Sequence, residues 1–161
     1  GFPLGANLID TKIFEARQAL EDGATEIDMV LNLAALTAGD YSWLEKEVRG
    51  MVSLKLDYPL VLKVIVETAL LNPWQLANIT QYLGDWGADY IKTSTGFAQR
   101  GVSLEDMQII RSNRNPALKI KASGGIRTLD FALQLINAGA DRIGTSQAMS
   151  LIREMEGRRQ D

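Results

Sequence analysis

The hydrophobic and polar positions of this chain change period several times, and the changes repeat. Apolar residues recur at three- and four-residue spacing in TKIFEARQALED (11–22), PWQLANITQYLGDW (73–86) and TLDFALQLINA (128–138), which predicts helices that bury one face. Each helical stretch runs into a Gly-Ala pair and a short strand-like run: EDGATEIDMV (21–30), DWGADYIKTS (85–94) and NAGADRIGTS (137–146). The glycine fits a helix C-terminal cap and the run after it fits a β-strand. Adding YPLVLKVIVET (58–68) and ALKIKASGG (117–125) gives five strands, each followed by a helical stretch. That order predicts a parallel sheet of right-handed βαβ units. Helix starts are marked by Pro73 near N1, by a capping box at Ser103–Asp106 and by Thr128 as an N-cap.

A parallel α/β layout either closes as a (β/α)₈ barrel or stays open as a doubly wound sheet. No G-x-G-x-x-G follows any strand, which removes the commonest signature of the open dinucleotide-binding type. The last two strands end in ASGGIR (122–127) and GTSQ (144–147), turns suited to presenting backbone N–H groups to an anion where a barrel carries its phosphate site. The expected architecture is α/β of the TIM-barrel type, here incomplete with about five parallel strands, in a single domain over 1–161.

Composition then narrows the chemistry. The chain has 161 residues, 46% hydrophobic and 23% charged, enough for one globular domain with a sizeable core. It contains no cysteine and no histidine, so there is no disulfide, thiolate, imidazole base or Cys/His metal site. Any reaction falls to Lys, Asp, Glu, Ser, Thr or Tyr. A net charge of −3 and a pI near 5.1 give no general pull toward nucleic acid or anionic membrane. No apolar run approaches the ~20 residues of a membrane span and no signal-peptide pattern opens the chain, so a cytoplasmic location is expected.

Length departs from the barrel reading, because a (β/α)₈ barrel typically needs about 200–250 residues. The opening GFPLGAN has no initiator Met and reads as a loop. A fragment lacking the first two βα units and most of a third strand is expected, or a short variant that completes its barrel as a homo-oligomer.

The polar residues inside the strands carry the chemistry. Side chains alternate along a strand, so Asp28, Lys63, Lys92 and Lys121 can all be sent to one interior. A single buried lysine is most simply a strand-end residue whose head reaches solvent, but four ionisable groups on four neighbouring strands point to a site. An amine becomes nucleophilic when desolvation and a second cation lower its pKa. Such a lysine attacks a carbonyl to give a Schiff base, and an iminium carbon draws electrons from the adjacent C–C bond. The outcome is aldol or retro-aldol chemistry with neither metal nor organic cofactor, with a carboxylate such as Asp28 relaying protons.

The motifs IKTSTGF (91–97), IKASGGIR (120–127), EIDMVLN (26–32), VLKVIVET (61–68) and GFPLGAN (1–7) resemble, in order and spacing, those of the 2-deoxyribose-5-phosphate aldolase family. The resemblance covers essentially the whole chain. It implies a class I aldolase on a (β/α)₈ barrel that reversibly cleaves 2-deoxy-D-ribose 5-phosphate to acetaldehyde and D-glyceraldehyde 3-phosphate. By this resemblance Lys92 is the Schiff-base lysine, Lys121 the cation that lowers its pKa and Asp28 the proton relay. Lys63 joins the polar interior network and Thr95 lies near the substrate. Gly96, Gly124, Gly125, Arg127, Gly144, Thr145 and Ser146 line the phosphate end. The implied partners are a phosphorylated sugar and small aldehydes.

Departures from the family pattern are AQRGVS (98–103) in place of a glycine-rich loop, and Ala34 and Thr37 within LNLAALTAGD. Outside the motifs, Glu67 is expected either as an acid or base or as a structural partner of Lys63, and Lys119 as a rim residue. Trp43, Trp74 and Trp86 are expected to pack, and REMEGRRQD to be a solvated helix end. Two other readings stay open: a different Schiff-base phosphosugar aldolase, and a non-catalytic module that binds a sugar phosphate.

Overall fold

Five parallel strands lie side by side in chain order, and each hands over to a helix. The computed structural model describes residues 1–158. The strands are β1 (Glu26–Val30), β2 (Val61–Ile65), β3 (Tyr90–Lys92), β4 (Lys119–Ser123) and β5 (Arg142–Gly144), in the sheet order β1-β2-β3-β4-β5. Helix α1 (Ile9–Glu21) precedes β1. Helices α2 (Leu33–Ala38) and α3 (Tyr41–Ser53) follow it, and α4 (Pro73–Trp86), α5 (Leu104–Asn113), α6 (Leu129–Asn137) and α7 (Ala148–Gly157) follow β2 to β5. A doubly wound sheet reverses its strand order at a switch point. This sheet does not.

The sheet is also rolled. Glu26 and Arg142 begin the two outermost strands, which would stand ~19 Å apart across a flat sheet at ~4.8 Å per step. Their side chains nevertheless meet in an ion pair at 2.5 Å. Only a curved sheet brings them together over its concave face. The architecture is thus five βα units of the (β/α)₈ type.

Alternation along the strands divides the two faces. Outward residues Met29, Leu62, Val64, Ile91, Ile120 and Ala122 join the helix residues Leu44, Val48, Met51, Leu76, Ile79, Leu83, Met107, Ile110 and Leu135 in one buried apolar cluster. Burying a side chain of this size stabilises the fold by roughly 1.5–3 kcal/mol. The concave face instead carries Glu26, Asp28, Lys63, Tyr90, Lys92, Lys119, Lys121 and Arg142, and its small apolar patch is Val30, Leu33 and Ile65.

Local chemistry sets the ends of the elements as the sequence predicts. Pro73 opens α4 within an Asn72–Gln75 capping box, Ser103 and Asp106 cap each other at α5, and the Thr128 hydroxyl accepts from Phe131 N. Gly87 closes α4 at φ +94°, a left-handed conformation that costs glycine nothing. Trp86 is buried, but Trp43 and Trp74 are 36% and 66% exposed, against the expectation that all three pack. The core face of α3 is set by Leu44, Glu47, Val48 and Met51, one position away from Trp43, and Trp74 lies on the solvent side of the first turn of α4. The terminal run REMEGRRQD is helical and exposed from Arg153 to Gly157, and its last three positions lie outside the described residues.

One ion pair is hidden among the helices. Lys12 of α1 and Glu47 of α3 are both almost wholly buried and bonded to each other. Lys12 Nζ also donates to the Val30 carbonyl at 2.8 Å, and Glu47 accepts from Asn32 N at 3.0 Å. A buried pair of this kind is tolerated because every polar atom finds a partner. It fixes the end of β1, where the backbone leaves the sheet just above Asp28. Among the described residues, no helix is long and apolar enough to cross a membrane.

Candidate active site

Register is what gathers the charged side chains. Asp28 pairs with Lys63 across β1 and β2, and Lys92 pairs with Lys121 across β3 and β4. All four rise from the concave face. Asp28 Oδ2 accepts from Lys92 Nζ and from Lys121 Nζ, each at 2.7 Å, and Oδ1 lies 2.8 Å from Lys63 Nζ. Lys63 reaches Glu26 as well, at 2.8 Å, and Glu26 is held by Arg142, whose guanidinium lies over the Tyr90 ring at 4.9 Å. Three ammonium groups and one guanidinium therefore share two carboxylates.

The electrostatic consequences follow from that imbalance. Burial alone raises the Asp28 carboxyl, but hydrogen bonds from Lys121, Lys63 and Lys92 outweigh it and hold the group well below the usual carboxylate range. Hydrogen bonds from Arg142 and Lys63 hold Glu26 down at about 2, against a smaller raising effect of burial. Burial lowers the Lys121 ammonium below the usual lysine range, the Lys92 and Lys63 cations add to the effect, and Asp28 opposes it. Both carboxylates of the cluster are therefore ionised under all ordinary conditions, and Lys121 gives up its proton more readily than an ordinary lysine.

Above the lysines opens a cavity of about 410 Å³. Lys92, Thr95, Gly96, Lys121, Gly124, Gly125, Arg127, Gly144, Thr145 and Ser146, all expected from the sequence, line it together. Ser94 and Ser123 line it too, although the sequence reading gave them no site role. Asp28 and Lys63 lie outside that lining. Lys63, only 5% exposed, sits beneath the cluster against Glu26 and Asp28, and Asp28 faces a second hollow of about 310 Å³ bordered by Phe2, Lys12 and Glu26.

The strand ends are stitched so that the two lysines stay level. Thr93 Oγ1 donates to the Ser123 carbonyl and accepts from Ser123 N, both at 3.0 Å, and Ser123 Oγ donates to the Ser94 carbonyl at 2.7 Å. Gly124 has φ +84°, and a Cβ there would stand 2.9 Å from Gly101 Cα and 3.1 Å from Ser94 Cβ. The β3–α5 loop therefore crosses the β4–α6 turn at glycine-to-glycine distance. The variant run AQRGVS keeps the glycine that this crossing needs. Its Arg100 forks onto Asp106 at 2.6 and 3.0 Å and donates to the Thr68 carbonyl at 3.2 Å, and Thr68 Oγ1 donates to Asp106 at 2.9 Å.

Glu67 is a correction. It is not the partner of Lys63, because its carboxylate accepts from Thr95 N at 3.1 Å and from the Thr95 hydroxyl in a short hydrogen bond. The backbone turns at Glu67 (φ +52°), which swings its side chain toward the β3 loop and away from the cluster below. Lys119 is exposed at the start of β4, the rim position expected, and lies 5.7 Å from the Tyr90 ring centre. Glu26 and Arg142 are cluster members that the sequence reading missed. Each shares strand parity with a residue it did name, Glu26 with Asp28 and Arg142 with Gly144, which is the signal that could have found them.

Comparison with known proteins bears on this geometry. The model of the DeoC/LacD family aldolases matches residues 2–153. The chain belongs to that family. Over 155 residues it is 46% identical to the deoxyribose-phosphate aldolase of Caldicellulosiruptor saccharolyticus, covering 96% of this chain and 70% of that protein. The enzyme of the same name from Thermococcus gammatolerans is 44% identical over 152 residues, covering 94% of this chain and 68% of the relative. Among solved structures, the aldolase QR15 superposes with a TM-score of 0.93 at 44% identity, over 99% of this chain and 71% of that one. The deoxyribose phosphate aldolase of Aeropyrum pernix, described as a tetramer, superposes with a TM-score of 0.88 at 37% identity, over 97% of this chain and 65% of that one. In this DeoC/LacD chain the strands that carry Asp28, Lys63, Lys92 and Lys121 all fall within the matched region.

Proposed function

We propose that this chain is a class I aldolase that cleaves 2-deoxy-D-ribose 5-phosphate reversibly to acetaldehyde and D-glyceraldehyde 3-phosphate. The observation that carries the reading is the pair of lysine ammonium groups on one oxygen of Asp28, at the floor of a cavity whose far side is a glycine-rich turn with an arginine. Two cations sharing one acceptor disfavour a second proton, so one amine is free to attack. Lys92 is the nucleophile: its Nζ adds to the aldehyde carbon of the open-chain sugar, water leaves, and the iminium forms. The iminium then accepts the electron pair of the C2–C3 bond as the C3 hydroxyl loses its proton, and glyceraldehyde 3-phosphate departs. The enamine takes a proton at C2, and hydrolysis releases acetaldehyde and Lys92.

Asp28 relays the protons these steps move between the groups hydrogen-bonded to its two oxygens, without holding one at rest, and Lys63 fixes it from below. Lys121 is the second lysine on Asp28 Oδ2, at 2.7 Å and next to the reacting amine. Arg127, exposed at the cavity, supplies a cation for the phosphate, and the backbone of Gly96, Gly124–Gly125 and Gly144–Ser146 lines the same space. The reaction runs in the cytoplasm, and the chain works as a homo-oligomer or together with a missing N-terminal segment.

The test is product balance. Purified chain given 2-deoxyribose 5-phosphate is expected to release acetaldehyde and glyceraldehyde 3-phosphate in equal amounts, and Lys92→Leu is expected to abolish both. Equal release from the Lys92→Leu protein would overturn the assignment of the nucleophile.

A further inference from the structure

Glu67 combines three features that rarely meet in one residue. Its backbone lies in the left-handed region at φ +52°, where a side chain is disfavoured. Its side chain is 2% exposed. One carboxylate oxygen, Oε1, is buried with no hydrogen-bond partner, and the other takes both donors of Thr95. Buried acceptors are nearly always satisfied, and backbone strain persists where the surrounding structure holds it for a purpose.

Thr95 shows what that purpose is. A threonine hydroxyl has one proton to give and two lone pairs. Here the proton goes to Glu67, and one lone pair accepts from Phe97 N at 3.1 Å. A single lone pair is left on a residue that lines the cavity. Toward a ligand, Thr95 is an acceptor only. It repels a phosphate oxygen and receives a hydroxyl.

We infer that Glu67 is a positioning residue that sets the polarity of Thr95, so that the site selects an aldehyde bearing a hydroxyl beside its carbonyl. The inference rests on the aldolase reading above. It concerns a residue that touches no substrate and acts through its neighbour. Discrimination of this kind is strong because a substrate lacking the hydroxyl leaves the oriented acceptor unpaired.

The experiment compares two acceptors in the condensation with acetaldehyde: glyceraldehyde 3-phosphate, and 3-phosphooxypropanal, which lacks only the hydroxyl. The readout is the ratio of their kcat/KM values. Where turnover is slow, the two are compared as competitors of borohydride trapping of acetaldehyde on the chain. Glu67→Gln keeps an oxygen that accepts both Thr95 donors, and is expected to hold the ratio within about threefold. Glu67→Asp keeps the charge but withdraws it by one methylene, and is expected to lower the ratio about tenfold or more. Thr95→Val is expected to lower it as far, with Glu67→Asp adding nothing on top. A Glu67→Asp protein that loses both activities equally, or keeps the ratio, overturns the inference and leaves the aldolase reading standing. No trapping of acetaldehyde by the unmodified chain overturns both.

Discussion

Asp28 is the residue on which the site converges, because three lysines end on its two oxygens. Replacing it with Asn leaves the carboxylate's charge out and three partly buried ammonium groups with one anion, Glu26, between them. Breaking such a cluster costs about 3 kcal/mol, and Asp28→Asn is expected to show that loss in a urea melt together with loss of turnover. A variant as stable as the parent would mean that the lysines shed their protons at no cost. Lys121 tests the electrostatics from the other side. Lys121→Leu removes the cation beside Lys92, the proposed nucleophile, and the pH optimum of retro-aldol activity is expected to move to alkaline values, where one pH unit corresponds to about 1.4 kcal/mol. An unchanged profile in an active variant would show that desolvation alone prepares the amine. Strand parity in the sequence is enough to place Asp28, Lys63, Lys92 and Lys121 together. Glu67 was out of reach of that argument, because its partner stands 28 residues away and its left-handed backbone leaves no mark in an ordinary Val-Glu-Thr run.

Between elements, two charged contacts hold the geometry that the lysines need. The Arg142–Glu26 pair joins the first residues of β5 and β1 and so clamps the curl of the sheet. Glu26 titrates at about 2 in the folded chain and near 4.5 when unfolded, so its contribution is complete above pH 4.5 and is lost as pH falls toward 2. Glu26→Gln is expected to flatten the pH dependence of stability across that window and to leave it unaltered near pH 7–9. A parallel loss at every pH would assign the pair a packing role only. Arg100 is the second contact. It ties the β3–α5 loop to Thr68 through the buried Asp106, and Arg100→Ala leaves that carboxylate without its cation. Half-exposed as the guanidinium is, a loss of about 1–2 kcal/mol is expected, read as a fall in Tm of roughly 3–8 °C. The starts of α4, α5 and α6 were legible because Pro73, the Ser103–Asp106 box and Thr128 are local signals, although the Asn72–Gln75 box at α4 was not among them. Arg100–Asp106–Thr68 was not, since it joins loops from two different βα units and the sequence marks only that AQRGVS stands in place of a glycine-rich loop.

At the scale of the molecule, the sheet among the described residues has two edges, β1 and β5, where a closed barrel has none. Beside β5, a groove of about 220 Å³ is lined by Leu129, Ile136, Ile143, Leu151, Ile152 and Met155, and Leu8 and Phe14 are exposed along α1. Open strand edges and apolar patches of this kind promote association. The 161-residue chain is expected to bind ANS and to elute above its monomer mass in light-scattering chromatography, and a monodisperse monomer that leaves ANS dark would contradict this. The barrel class was legible because the Gly-Ala repeat carries both the period and the order of the βα units. The depth of the curl was not, because it depends on Arg142 reaching Glu26 across 116 residues.

If Lys92 is the covalent partner of the substrate, reductive trapping locates the bond on its side chain. The chain is incubated with acetaldehyde, reduced with borohydride and digested, and the mass of each lysine-containing peptide is recorded. One added ethyl group is expected on the peptide carrying Lys92, none on that carrying Lys121, and none anywhere in the Lys92→Leu protein. Label on Lys121 in place of Lys92 would exchange their roles, and absence of label from both would contradict Schiff-base chemistry in this site.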